Sequence, residues 1–211
     1  MYEKIFHSEN PFWNGMGRLF DIVELNLLWL VCSLPLFTVG SASVALYSAM
    51  TALLGGKETY PHRDFFHAFR THFRRNTAAG LLLSAVCAFL WTDVRICRQS
   101  GTGVFTFLMV FFFIILLFWL FTALYALPLL ALYDGGLKHT FILAFTLSIR
   151  HFPLTVALGC VTALTFWLCH LAPLLIAAAI GISVHVKLSM LFPVLKPWLP
   201  PEYMCKVFTD K

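Results

Sequence analysis

The chain has 211 residues, of which 60% are hydrophobic and 12% are charged, and its net charge is +5. A soluble domain carries about twice that share of charged side chains, so the composition excludes an ordinary water-soluble protein and predicts a chain whose solvent is lipid. The basic residues lie beside apolar segments, as in the cytoplasmic loops of membrane proteins, so they do not indicate nucleic-acid binding. We expect residues 1–211 to form a single integral membrane domain.

Residues 1–17 form a polar and aromatic N-terminal segment in which Asn10 and Pro11 mark a turn. Trp13 follows that turn, and indole rings favour the headgroup region of a bilayer. The segment lacks the apolar core and small-residue cleavage site of a signal peptide, so the first apolar helix is expected to stay in the membrane.

Residues 18–54 are too long for one straight span. As one helix they would measure about 55 Å, against a hydrocarbon core of about 30 Å. Pro35 and Gly40 interrupt the stretch near its middle. We therefore predict helices over 18–34 and about 38–54, which form either a tight hairpin or one bent, half-inserted unit.

Two short segments, residues 57–75 and 137–151, are predicted to be amphipathic helices on the cytoplasmic surface of the membrane. Apolar residues recur in both at helical spacing, with basic residues between them. Such a helix buries its apolar side in lipid and presents its basic side to anionic headgroups. The basic residues assigned to this interface are Lys57, Arg63, Arg70, Arg74, Arg75 and Arg150.

Long uncharged apolar segments predict the remaining membrane spans. These spans cover residues 76–97, 104–133, 152–170 and 174–194, and a polar cytoplasmic tail over 195–211 follows them. Pro128 lies inside one span and predicts either a helix break or a kink whose freed backbone groups are satisfied locally. The predicted fold is an all-α membrane bundle of five to six hydrophobic segments with two interfacial helices.

The distribution of Lys and Arg sets the predicted topology. With six segments, thirteen of the fifteen Lys and Arg residues fall on one side of the membrane, and only Arg95 and Arg98 fall on the other. Positively charged loops stay in the cytoplasm, so both termini are predicted to be cytoplasmic. If residues 18–54 cross only once, the N-terminus lies outside and the distribution becomes eleven to four.

A weak internal repeat is consistent with this layout. Phe65, Phe69, Phe73 and Arg74 recur 76 residues later as Phe141, Phe145, Ile149 and Arg150. Paired glycines precede each copy. Repeats are common among transporter folds, and generic amphipathic design is the alternative explanation.

Polar residues at the start of the first apolar helix are the candidates for a polar or partner-binding site. They are Arg18, Asp21, Glu24 and Asn26. The spacing of Arg18 and Asp21 permits an ion pair on one helix face. Carboxylates within a span usually face a protein interior or a watery cavity. Alternatively, these acids lie at the interface and stabilise the positive end of the helix dipole.

No catalytic, cofactor-binding or metal site is predicted. The six cysteines include no CxxC pair, and His151, His170 and His185 are too far apart in sequence for a known zinc motif. Nucleophile-elbow and P-loop patterns are missing as well, so the sequence favours a protein that is not an enzyme. Asp93 and Arg95 are expected to lie at the outer end of a span.

Several stretches together resemble the YesL-like family of bacterial membrane proteins, defined as domain of unknown function 624. They are Asn10-Pro11-Phe12-Trp13, LNLLWLVCSLPLFTVG at 25–40, Ala45-Leu46-Tyr47, Arg63-Asp64-Phe65-Phe66 with Phe69, and LPLLALYDGGLKHTFILAF at 127–145. The family has no established catalytic residues to carry over. Its members often accompany polysaccharide-uptake ABC transporter components and two-component regulators, and the resemblance implies a role near carbohydrate import.

Three hypotheses for function follow. The favoured one is a non-enzymatic accessory protein that packs against the helices of an ABC permease or sensor kinase in a carbohydrate import or sensing system. A small oligomeric transporter or channel is the alternative, motivated by Asp21, Glu24 and the break at Pro35 and Gly40. The third is a membrane enzyme acting on a lipid-linked substrate. The bilayer is an expected partner in each case, and the sequence leaves homo-oligomerisation open.

Overall fold

The computed structural model describes residues 11–54, 60–100, 103–133, 135–171 and 176–195. Within these residues the chain is helical apart from short connections, and it has no strand, which confirms the all-α prediction. The helices are α1 (Pro11–Cys32), α2 (Val39–Leu54), α3 (Pro61–Arg70), α4 (Phe73–Ser100), α5 (Gly103–Leu132), α6 (Leu137–Arg150), α7 (Phe152–Leu171) and α8 (Ile176–Leu195).

The break predicted at Pro35 separates α1 from α2. A single 3₁₀ turn over Leu36–Thr38 connects the two helices. The hydroxyl of Thr38 lies 2.6 Å from the carbonyl oxygen of Cys32 and 2.7 Å from that of Pro35. The break is therefore closed by a local side chain, which satisfies backbone carbonyls that would otherwise be costly in lipid. α1 begins at Pro11, earlier than predicted, because proline suits the first turn of a helix.

α2 lies at the centre of the bundle, against α1, α3, α4, α5 and α8. One apolar core joins Leu25 of α1, Met50 of α2, Phe65 of α3 and Leu188 of α8. A second core surrounds Tyr125, Leu129, Leu147, Leu158 and Leu191, which come from α5 to α8. The central position of α2 explains why its sequence is rich in small residues, which let neighbouring backbones approach.

Three helical stretches are long and apolar enough to cross a membrane: Leu36–Leu54, Phe73–Gln99 and Gly103–Leu132. A fourth exists if α6 and α7, which meet at 101°, count as one bent unit. These three to four stretches bear out the expectation of membrane-type helices, and the finer count of five to six segments stays a prediction. α1 has sufficient length, but its 22 residues include Arg18, Asp21 and Glu24.

The order long helix, short helix, long helix occurs twice, in α2–α3–α4 and in α5–α6–α7. The second helix break, at His151, lies 79 residues after the first break at His72. Buried positions repeat at the same distance: Phe65, Asn76 and Ala79 correspond to Ala144, Thr155 and Leu158. The two halves therefore correspond at a spacing of 79 residues, whereas the phenylalanines predict 76. The buried positions set the spacing in the folded chain, and residues of different type occupy equivalent positions.

Candidate functional site

The polar residues of α1 do not form one cluster. Asp21 and Glu24 are partly exposed, and Glu24 Oε1 lies 3.3 Å from His62 Nδ1 on α3. The side chain of Arg18 lies outside the described part of the structure, so its pairing with Asp21 stays a prediction. The acidic part of the predicted site therefore faces the junction of α1 with α3.

Asn26 lies instead in the interface between α1 and α8, where its side chain is 1% exposed. Its amide nitrogen donates a hydrogen bond of 2.7 Å to the carbonyl of Ile22. A Cβ atom at Gly181 of α8 would overlap that amide group. Asn26 Oδ1 has no hydrogen-bond partner among the described residues. Close packing with glycine explains how α8 accommodates a polar side chain at this position.

A groove of about 390 Å³ with polar and apolar lining lies between α1, α2, α5, α7 and α8. We call it the Lys187 groove, because Lys187 is the charged member of its lining. Leu46, Leu127, Phe166, Ile180 and Val184 supply apolar walls, and Trp29, Ser43, Tyr47, Thr162, Thr165 and Ser183 supply polar atoms. A half-buried lysine in an apolar groove is suited to binding an anion.

Most hydroxyl protons in the Lys187 groove are already used. Thr162, Thr165 and Ser183 donate to carbonyls of their own helices at 2.7, 2.7 and 2.8 Å. Ser43 accepts a hydrogen bond of 3.2 Å from Trp29 Nε1, so its own proton is not used in that bond. The lining therefore combines hydroxyl oxygens that act as acceptors with a cationic donor at Lys187.

The three predicted helix-break residues differ in their surroundings. Pro35 is exposed at the break between α1 and α2. Gly40 lies against Gly80 of α4. Pro128 is buried inside α5, which stays helical to Leu132, so the predicted break does not occur there. Proline is tolerated inside spanning helices because neighbouring groups satisfy the carbonyl that it leaves free.

Exposed side chains make up most of the predicted basic interface. Arg63 and Arg70 line a shallow surface concavity with Phe66, His67 and Thr71. Arg74 and Arg150 are also exposed, whereas Lys57 lies outside the described residues. Exposed arginines beside Phe66, at the surface of α3, are compatible with the predicted contact with anionic headgroups.

Arg75 differs from the other basic residues because it holds two helices together. Its guanidinium donates to the carbonyls of Leu130 and Gly135, each at 3.3 Å. The Leu130 carbonyl lies in the last turn of α5, where the helix dipole favours a cation, and the Gly135 carbonyl lies in the connection from α5 to α6. Arg75 therefore joins the start of α4 to the end of α5.

The remaining polar candidates stay apart from one another. No group of three or more His, Cys, Asp or Glu residues within metal-binding reach occurs in the part of the chain that the structure describes. Asp93 is partly buried and Arg95 is exposed, near the end of α4. The side chain of His170 falls outside the described residues.

Sequence analysis did not single out Lys187 or Tyr47 as site residues. Lys187 could have been found, because it ends a run without charged residues that begins at His151. An ionisable residue within such a segment marks a site by default. Tyr47 carries no comparable signal, since only the folded bundle places it beside α8.

Comparison with known proteins gives one family and one similar protein. The family described as "Protein of unknown function, DUF624" matches residues 22–94, which cover most of α1 to α4. The uncharacterized protein YesL of Bacillus subtilis is 27% identical over 196 residues, which are 90% of this chain and 91% of that protein. No solved structure matches the chain.

Proposed function

We propose, from the membership of this chain in the YesL-like family DUF624, that it is a non-enzymatic accessory protein of the bacterial cell membrane. It packs its helices against those of an ABC transporter permease or a sensor kinase. The link to carbohydrate import or sensing comes from the proteins that accompany members of this family. The accessory role is argued from the buried polar side chains, which form hydrogen bonds between helices.

The observation that carries the proposal is the structural use of buried polar side chains in the described residues. Tyr125 and Thr155 share a hydrogen bond of 2.9 Å between α5 and α7. Trp119 Nε1 donates to the carbonyl of Leu83 at 3.1 Å, which joins α5 to α4. These groups hold the helices in place and are not assembled into a reactive set. The proposal therefore assigns the partner contacts to the outer surface of the bundle.

The first half of α5 offers the most apolar surface for such contacts. Only 6% of the residues in the most apolar stretch of this helix are buried within the chain. Phe107 is 74% exposed, and Phe111 and Phe113 are each 53% exposed. Aromatic side chains bury large areas and pack in specific geometries against other helices. A partner helix on this surface is therefore a favourable arrangement.

The proposal also includes a topology with six crossings, in which α3 and α6 lie along the cytoplasmic surface and both termini are cytoplasmic. Arg74 and Arg75 lie in the first turn of α4, and Arg63 and Arg70 lie just before it in α3, whereas only Arg95 and Arg98 lie near the end of α4. A helix of 28 residues is about 42 Å long, which is enough to reach both headgroup regions. The larger number of cations near the start of α4 supports a cytoplasmic location for that end.

Purification from native membranes in a mild detergent, followed by mass spectrometry, tests the accessory function. We expect a permease or sensor kinase to copurify with the wild-type chain and to be reduced for the Phe107→Ala/Phe111→Ala variant. Phe20→Ala, at an exposed phenylalanine of α1, is the matched control and should retain the partner. Recovery of the chain alone in every preparation would contradict the proposal.

A small-solute transporter is the second candidate, and the contact between Glu24 and His62 favours it. Both side chains are partly exposed, so α1 and α3 form a polar entrance at the surface. Liposomes that contain the purified chain would then take up small oligosaccharides, and Glu24→Gln would slow the uptake. Equal uptake by protein-free liposomes would exclude this candidate.

A further inference from the structure

Lys187 lies in a groove with apolar walls and a few hydroxyl groups, and no anionic partner for it occurs among the described residues. It is the first charged residue after Arg150, and it follows one turn after Ser183 and Val184 on α8. No described carboxylate lies within ion-pair distance of its ammonium group. A charged side chain in a membrane helix is costly unless it meets an opposite charge, a polar partner or water. Because the described groove supplies only hydroxyl oxygens to Lys187, an anion that enters the groove would be a favourable partner.

Tyr47 provides a second polar group that a ligand in the groove can reach. Its side chain lines the Lys187 groove although the residue is only 8% exposed. No hydrogen bond joins its hydroxyl group to a described residue, and this group is not among the enclosed polar atoms that lack a partner. The hydroxyl group is therefore accessible and available as a donor to a ligand. The Ser43 proton, left free by the contact with Trp29, adds another potential donor on α2.

The rest of the groove is suited to a hydrocarbon chain. Leu46, Leu127 and Val184 form apolar walls, and the groove is open at its side. Phe166 lies at its edge and is 77% exposed. A ligand that matches both parts carries a negative charge for Lys187 and an apolar tail for these walls. Membrane lipids with acidic headgroups have this chemistry and reach the groove laterally.

We propose that the Lys187 groove binds one anionic phospholipid of the bilayer. The lipid phosphate accepts hydrogen bonds from Lys187, Tyr47 and Ser43, and one acyl chain lies along Leu46, Leu127 and Val184. Hydroxyl groups of the lipid headgroup donate to the oxygens of Thr162 and Ser183, whose own protons are used within their helices. The proposal is independent of the accessory function, because the isolated chain should retain the lipid.

Native mass spectrometry of the full-length protein in detergent tests this site with phosphatidylglycerol and phosphatidylcholine as probes. We expect phosphatidylglycerol to bind at least tenfold more tightly than phosphatidylcholine. Lys187→Met should abolish this preference, and Tyr47→Phe should weaken phosphatidylglycerol binding several-fold. Lys138→Met, at an exposed lysine of α6, is the matched control and should leave the preference unchanged.

Equal binding of the two lipids by the wild type, or an equal loss in Lys187→Met and Lys138→Met, would overturn the proposal. Displacement of phosphatidylglycerol by millimolar inorganic phosphate would also overturn it, since the site would then bind a soluble anion. If Lys187→Met fails to fold, Tyr47→Phe and Lys187→Arg keep the test open. The Arg variant should retain the full preference for phosphatidylglycerol and the Phe variant should bind this lipid several-fold more weakly, and the opposite result would contradict the site.

Discussion

Gly40 of α2 and Gly80 of α4 meet backbone to backbone. A Cβ atom placed on Gly40 would lie 2.6 Å from the Cα atom of Gly80 and 2.9 Å from the carbonyl oxygen of Asn76. These are backbone atoms, so no side chain can rotate away to make room. The contact lets α4 pack closely against the central helix, in the manner by which small residues join membrane helices.

Gly80→Ala should therefore destabilise the bundle by about 1–3 kcal/mol, the usual cost of overpacking in a close-packed interior. Thermal unfolding in detergent, followed by circular dichroism, measures the change. Gly159→Ala is the matched control because Gly159 lies 79 residues later in the repeat. A Cβ atom placed on Gly159 would meet only Phe121 Cε1, at an ordinary contact distance of 3.7 Å. Equal loss in both variants would mean that the Gly40–Gly80 contact is not specific.

The bend between α6 and α7 should depend on Thr155. Its hydroxyl lies 2.9 Å from the carbonyl oxygen of Ser148 and 3.0 Å from that of His151, and it also contacts Tyr125. Thr155→Val keeps the shape and removes these hydrogen bonds, so we expect a loss of about 1–3 kcal/mol. Unfolding in detergent measures it, with Thr165→Val as control, since Thr165 bonds only within α7. A larger loss for the control would refute the role of Thr155.

Arg75→Met should loosen the end of α5. The variant loses the donors to Leu130 and Gly135, and hydrogen bonds from a charged group contribute about 1.5–3 kcal/mol each. Hydrogen exchange at residues 130–136 should rise in Arg75→Met and stay unchanged in Arg74→Met, whose parent side chain is exposed. Unchanged exchange in both variants would show that Arg75 does not hold this helix end.

The contact of α1 with α3 can be tested by chemical cross-linking. Because the tips of the Glu24 and His62 side chains meet at 3.3 Å, cysteines at both positions should be joined rapidly by a short bis-maleimide reagent, which spans the gap that the two long side chains fill. Cysteines at Glu24 and Arg63 form the control pair. The chain is cleaved between positions 24 and 62, and the fraction of the two fragments that still migrate together in electrophoresis gives the yield of cross-linking. Rapid cross-linking of the control pair alone would place α3 in a different orientation on α1.

Helix ends were the most predictable part of the fold, because local chemistry sets them. Pro35 ended the first helix near the predicted position, and α6 and α7 begin within a residue of their predicted starts. The predicted segment 57–75 was less accurate. Its helix ends at Arg70, and α4 already begins at Phe73 after His72, which adopts a φ of 56°. A left-handed conformation at histidine leaves no clear pattern in a single sequence.

Contacts between distant helices could not be predicted from the sequence. Arg75 was assigned to lipid headgroups with its neighbours, since nothing local distinguishes it from Arg74. Its contact with Leu130, 55 residues away, arises only when α4 and α5 pack. Asn26 was grouped with Asp21 and Glu24 for the same reason, although its side chain lies against α8. The roles of Arg75 and Asn26 depend on which helices pack against each other. The periodicity of the sequence indicates only which face of each helix is apolar.

Site-specific photo-cross-linking in native membranes tests the accessory role most directly. A benzophenone amino acid at Phe107, on the exposed face of α5, should form a covalent adduct with a permease or sensor kinase. The same probe at Phe20 of α1 should label lipid. Adducts with lipid alone at both positions would contradict the account, since α5 would then face the bilayer and no partner helix.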